Sequence, residues 1–145
     1  MSDLVTVILA AGKGTRMKSA LPKVLHKAGG KAMVAHVLAA AKAAGATRQI
    51  VVTGFGGDQV REALAGQAEF VTQTEQLGTG HAVKMTAPLL KDTQGTIMVL
   101  CGDTPLLTGA LLKKFYDEHI AAQAKATVLT AVMPNATGYG SIIRQ

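Results

Sequence analysis

The chain has no tryptophan, a single cysteine and four prolines, and aromatic residues fill only 3% of its 145 positions. Each scarcity excludes something. So few aromatic rings cannot build a platform on which single-stranded nucleic acid stacks. A lone Cys101 leaves no intrachain disulfide and fits a reducing compartment. No apolar run reaches the ~18 residues that a membrane-crossing helix needs. The start, Met1-Ser2-Asp3, carries an acid and lacks the apolar stretch and small-residue cleavage site of a secretory leader. The expectation is a cytoplasmic protein without membrane contact. Acidic residues are also short, nine against fifteen Lys and Arg, for a formal net charge of +6. That imbalance favours an anionic partner: nucleic acid, an acidic membrane surface or a phosphorylated small molecule. Charge alone does not choose among them.

What is present reads as globular, with 48% apolar and 17% charged residues. The length suits one domain with a sizeable core. Short apolar runs rich in β-branched residues fall at 4–10, 49–53, 69–72, 96–100 and 126–132. Between them lie helical spacings. Val34, Val37, Leu38 and Ala41 mark a first helix closed by Gly45. Asp58 stands where it would cap a second helix containing Val60, Ala63 and Leu64. Thr79 precedes a third that runs toward Pro88. Thr108 would cap a fourth, with Leu111, Leu112, Phe115 and His119 on or near one face.

Alternation of this kind implies a Rossmann-like, doubly wound α/β fold with a mostly parallel sheet covered on both faces. If the fourth strand returns beside the first, the order begins 3-2-1-4, and ligands sit outside the strand ends at that switch point. Two loops would meet there, residues 9–25 after strand one and residues 101–107 after strand four. The closing "TGYGSIIRQ" reads as a turn entering one more strand. The fold is therefore expected to be incomplete at the C-terminus, and the chain to be a fragment of a longer protein.

The first loop, "LAAGKGTRMKSALPKVL", holds two glycines and several bases. It is not a dinucleotide fingerprint, because Met17 stands where the third glycine belongs, and it lacks Walker spacing. Two readings stay open. One is a solvated turn with surface lysines. The other is an anion site, where glycines let backbone N–H groups approach phosphate oxygens and Arg16 and Lys23 add charged donors. Asp103, just past the fourth strand, would lie beside this loop. Mg²⁺ favours such a carboxylate together with substrate phosphates, whereas a bare turn aspartate would bond local N–H groups. "TQTEQLGTGHA" (72–82) reads as a polar loop that caps a helix, yet Gln73 also carries the donor and acceptor that suit a base edge. Cys101 ends a buried run and reads as an inert core thiol. His26, His36, His81 and His119 show no metal-ligand spacing, and Lys42, Lys84, Lys113, Lys114 and Lys125 read as solvated faces.

L-A-A-G-x-G-T-R-M followed by L-P-K resembles the signature of nucleotidyltransferases that activate sugars as sugar nucleotides, with Lys23 at the signature lysine. "LPKVLHKAGGKAMVAHVL" and "TQTEQLGTGHAV" narrow the resemblance. They point to the bacterial bifunctional family that joins N-acetylglucosamine-1-phosphate uridylyltransferase to glucosamine-1-phosphate acetyltransferase. The likeness runs from about Val5 to Ile143. It implies formation of UDP-N-acetylglucosamine and pyrophosphate from UTP and N-acetylglucosamine 1-phosphate, for cell-wall precursor synthesis.

The resemblance also assigns residues. Arg16 and Lys23 become catalytic. Leu9, Ala10, Ala11, Gly12, Lys23, Gln73, Gly78, Thr79, Cys101, Gly102, Asp103 and Gly140 become substrate contacts, with Gln73, Gly78 and Thr79 at the uracil and Gly140 at the sugar. Asp103 becomes the first Mg²⁺ ligand. The family's second metal ligand, an asparagine, would follow Gln145, as would a glutamate and another asparagine that hold the sugar nucleotide. Residues 1–145 would then be the N-terminal part of the transferase domain, weak or inactive alone. A left-handed β-helix acetyltransferase domain, through which the intact protein forms homotrimers, would lie beyond. Three rivals accompany this reading: a transferase of another sugar phosphate or of a pterin cofactor, a non-catalytic nucleotide sensor of the same fold, and nucleic-acid binding resting on charge alone.

Overall fold

The structure, a computed structural model, describes residues 3–140 together with 142 and 143. Its centre is a four-stranded, wholly parallel sheet of β1 (Asp3–Ala10), β4 (Arg48–Thr53), β5 (Glu69–Thr72) and β6 (Gly95–Cys101). The order is β5-β4-β1-β6. The fourth long strand therefore returns beside the first, as the switch-point argument expects. A small antiparallel hairpin, β2 (Lys27–Ala28) with β3 (Lys31–Ala32), stands apart. His36 donates from Nε2 to the carbonyl of Ala28 at 2.8 Å and ties this hairpin to α1 (Met33–Ala43).

Burial explains the strand sequences. Val7, Ile8, Ile50, Val51 and Val52 are all fully buried, because helices cover both faces of the two central strands. One face carries Leu4, Ile8 and Val51 against α1, α5 (Gly109–Ala121) and the buried Val60 and Leu64 at α2 (Gly57–Ala63). The other face carries Val7 and Val52 against Ala82 of α3 (Thr79–Lys84) and Leu90 of α4 (Ala87–Leu90). β6 differs. It is an edge strand, and its residues alternate: Met98 and Leu100 turn into the core while Ile97, Val99 and Cys101 are exposed. Among the described residues no helix is long and apolar enough to cross a membrane.

Several local expectations stand. Gly45 closes α1 at φ +99°, donating to the Lys42 carbonyl. Thr108 caps α5, its hydroxyl accepting from the Leu111 N–H at 3.2 Å. Others are corrected. Asp58 lies inside the first turn of α2, and Gly56 in a left-handed conformation is the cap. Pro88 does not simply follow the third helix. It occupies the first turn of α4, where a missing N–H costs nothing.

The run 126–132 forms no strand. Its composition favours pairing, but pairing needs a ladder partner. A cleft of about 770 Å³, lined by β6, α5 and residues 124–129, separates it from the free edge of β6. A turn closes at 136–139, with the Tyr139 N–H donating to Ala136. The strand expected after it is not formed at Ile142 and Ile143, and Ser141, Arg144 and Gln145 lie outside the described residues.

Candidate active site

The chain leaves β1 at Ala10, with Ala10 and Ala11 still buried. A Cβ built on Gly12 meets nothing within 4 Å, so that stretch of backbone is open to an approaching ligand. Gly14 then turns through the left-handed region at φ +58° and starts a short 3₁₀ turn, Thr15–Met17. Its lack of a side chain serves a second end. A Cβ there would sit 2.7 Å from Lys23 Cβ, so the lysine stem packs directly on the glycine. Lys23 begins another 3₁₀ turn, Lys23–Leu25, nailed down by the buried Val24 and Leu25.

From the other side comes β6. The Gly102 N–H donates to the Leu9 carbonyl at 2.9 Å and carries the ladder one residue past the strand. A Cβ on Gly102 would lie 2.9 Å from that carbonyl oxygen and 3.2 Å from Val24, so only glycine keeps the two chains this close. The next residue is Asp103. Its Oδ2 accepts from Lys23 Nζ at 2.6 Å, across 80 residues of sequence. The two side chains are 33% and 36% exposed respectively, at the mouth of the switch point. A half-open ion pair of this kind is worth on the order of 1 kcal/mol or less, an amount that a competing phosphate or cation can overcome.

The third wall is the loop after β5. A Cβ placed on Gly54, at the end of β4, would be 2.7 Å from both the Ala11 carbonyl and Gln76 Nε2. The loops after β1, β4 and β5 therefore meet at one point. Gln73 is buried, and its amide donates to the Gly78 carbonyl at 3.1 Å and to His81 Nδ1 at 2.9 Å. Gly78 has φ +96°, and Thr79 is the exposed first residue of α3. Gln73 thus braces the 73–81 loop from within, a task that adds to any contact with a base. His81 joins this wall without any signal in the sequence, since its partner Gln73 lies across a loop whose path no spacing rule predicts.

Arg16, Lys13 and Lys18 are exposed, and none has an ionic partner among the described residues. Together with Lys23 they give the mouth a positive field. Leu9 is half-buried at the end of β1, opposite Cys101. Cys101 is exposed on the uncovered face of β6, which corrects the expectation of a core thiol. Partial enclosure pushes its pKa up, the Asp103 carboxylate adds to this, and Lys23 opposes both. The thiol therefore stays protonated at neutral pH. Gly140 is exposed in the irregular segment after α5, where a Cβ built on it meets nothing within 4 Å.

The arrangement is a basic mouth with one carboxylate in it. Among the described residues no three His, Cys, Asp or Glu side chains cluster as a metal cage. A hard divalent cation fits a lone carboxylate when substrate phosphates and water fill its other positions, so the donor set suits Mg²⁺ held jointly with a nucleotide.

A family model described as the MobA-like NTP transferase domain matches residues 6–138. The chain belongs to that family. It is 53% identical over 138 residues to the bifunctional protein GlmU of Lactococcus lactis subsp. lactis (strain IL1403), covering 95% of this chain and 30% of that one. It is 54% identical over 144 residues to the bifunctional protein GlmU of Shouchella clausii (strain KSM-K16), covering 99% of this chain and 32% of that one. The chain thus spans about a third of the length of the curated relatives it matches. Rv0371c of Mycobacterium tuberculosis H37Rv superposes with a TM-score of 0.72 at 24% identity, over 83% of this chain and 62% of that one. A UDP-glucose pyrophosphorylase from Acinetobacter baumanii also gives a TM-score of 0.72, at 19% identity, over 86% of this chain and 54% of that one. At these identities the structural matches establish the shared fold.

Proposed function

We propose that this chain is the nucleotide-binding part of a uridylyltransferase that makes UDP-N-acetylglucosamine and pyrophosphate from UTP and N-acetylglucosamine 1-phosphate. The observation that carries the reading is the meeting of Lys23 and Asp103 at 2.6 Å beside an open glycine loop at the sheet's switch point. The likeness to GlmU proteins over nearly the whole chain supports the choice of substrates.

The chemistry needs no covalent nucleophile on the protein. A phosphate oxygen of the sugar phosphate attacks the α-phosphorus of UTP, the bond from that phosphorus to the β-phosphate oxygen breaks, and pyrophosphate leaves with the electron pair. Both reactants are anions, so the obstacle is their repulsion and their alignment. The amides around Gly12 and the guanidinium of Arg16 hold the β- and γ-phosphates, where charge grows as pyrophosphate departs. Lys23 reaches the α-phosphate. When bound through Asp103 and the phosphates, Mg²⁺ supplies further positive charge against the charge that develops in transfer. Gln73, Gly78 and Thr79 shape the pocket for the base. Cys101, Gly102 and the backbone of Leu9, Ala10 and Ala11 form its floor.

The test is pyrophosphate release with the chain in excess over substrate, across the four common nucleoside triphosphates and a set of hexose and hexosamine 1-phosphates. UTP with N-acetylglucosamine 1-phosphate should give the largest release, and only with a divalent cation present. A different preferred pair, or release that ignores the cation, would overturn the assignment.

A further inference from the structure

Asp103 and Lys23 each have a use that their present contact prevents. A divalent cation on either oxygen of Asp103 would lie close to the ammonium held on Oδ2 at 2.6 Å, so the two cations repel and each weakens the other's hold on the carboxylate. An ammonium neutralised by that carboxylate is equally poorly placed to meet a phosphate. Resting on the proposed nucleotidyltransfer, we propose that the Lys23–Asp103 pair is a latch: an arriving triphosphate draws Lys23 off Asp103, and only then is the carboxylate released to the cation. Nucleotide and cation binding are thereby coupled through one side-chain movement, and the coupling is reciprocal.

The geometry assigns the movement to the lysine. Asp103 is held by its neighbours on both sides, with Gly102 wedged against the Leu9 carbonyl and Thr104 Oγ1 donating to the Cys101 carbonyl at 2.7 Å. Lys23 is fixed only at its base, where Cβ packs on Gly14. Beyond that the stem has free torsions, and the side chain is 36% exposed. A lysine ammonium is a mobile point charge that can swing between two anions without losing bidentate geometry. The open backbone at Gly12 and Arg16, which has no ionic partner among the described residues, mark the side to which the phosphates, and with them Lys23, would be drawn.

The experiment measures Mn²⁺ affinity by electron paramagnetic resonance, without nucleotide, for the wild-type chain and for Lys23→Met, Lys18→Met and Asp103→Asn. Lys23→Met keeps the stem that packs on Gly14 and removes the latch. It should bind Mn²⁺ at least about 5-fold more tightly than wild type, given the range of coupling between linked sites. Lys18→Met removes one charge from the same loop and should change the affinity less than 2-fold, a charge effect on the scale of weak exposed pairs. Asp103→Asn should abolish the site. In metal-free buffer, saturating UTP should also shift the Asp103 carboxyl ¹³C resonance of the wild type, because the ammonium leaves.

Equal tightening by Lys18→Met and Lys23→Met would reduce the effect to net charge and overturn the latch. So would a Lys23→Met affinity no better than wild type, or an Asp103 resonance that UTP leaves in place. Those results leave the proposed function standing. An Asp103→Asn chain that binds Mn²⁺ like wild type, or a chain that binds no UTP, would instead overturn the reading of the site itself and the latch with it.

Discussion

Cys101 shows how position within a strand governs one group's chemistry. It is exposed at the end of β6, two residues from Asp103 and in the field of Lys23. Partial enclosure and the carboxylate both favour the neutral thiol, so its folded-state pKa is raised. The sign of the linkage follows. The native state keeps its proton longer than the unfolded chain, so this group's contribution to stability is complete below the ordinary thiol range and is lost as pH rises through it. Because the thiolate is the reacting species, native Cys101 should alkylate with iodoacetamide more slowly at pH 8 than in the urea-unfolded chain, despite its exposure. Lys23→Met should slow it further, since Lys23 is the one group that lowers the pKa. A native chain that reacts faster than the unfolded one would show that enclosure and the carboxylate do not govern the thiol.

At the scale of elements, α5 depends on a single side-chain cap. Thr108 satisfies the Leu111 N–H, and α5 buries Leu112 against the sheet beside α1. Thr108→Ala should cost about 1 kcal/mol, within the usual range for a lost threonine cap, read as a lower urea midpoint with unchanged slope. An unchanged midpoint would mean that packing alone holds the helix start. The cap was legible in the sequence because its chemistry is local: a hydroxyl three residues before the N–H it bonds. The order β5-β4-β1-β6 was legible for a different reason, since right-handed crossovers leave few ways to lay parallel strands beside one another. What was not legible depends on partners remote in sequence. Residues 126–132 have strand composition and no ladder, and nothing in their own residues reports that. Gln73 reads as a polar loop residue, yet the fold buries it against Gly78 and His81. Asp103 and Lys23 were both expected at the site, but their direct contact depends on Gly14 and Gly102 admitting a closeness that no motif spacing encodes.

For the whole molecule the consequential feature is the asymmetry of its sheet. The β5 side ends in a tight polar cluster, where Arg61 bonds both Thr53 and Thr72 and lies 5.5 Å over the Phe70 ring. Among the described residues the β6 side has no such cover. Its outer edge runs for seven residues along the cleft, and Ile97 and Val99 are 43% and 46% exposed on the open face, with Val128 and Leu129 also exposed on the segment that lines the same cleft. Free ladder groups beside apolar side chains are a template for pairing with another chain. The net charge of +6 opposes association through general repulsion, but screening weakens that repulsion as salt rises. The chain should therefore self-associate with rising concentration, and more at 0.5 M than at 0.05 M salt, as read by light scattering. Val99→Lys places a charge on the open face without touching the core residues Met98 and Leu100. It should restore a monomer across that range while moving the thermal midpoint little. Scattering that is equal in both chains, or that falls with salt, would locate the association elsewhere than on the β6 edge.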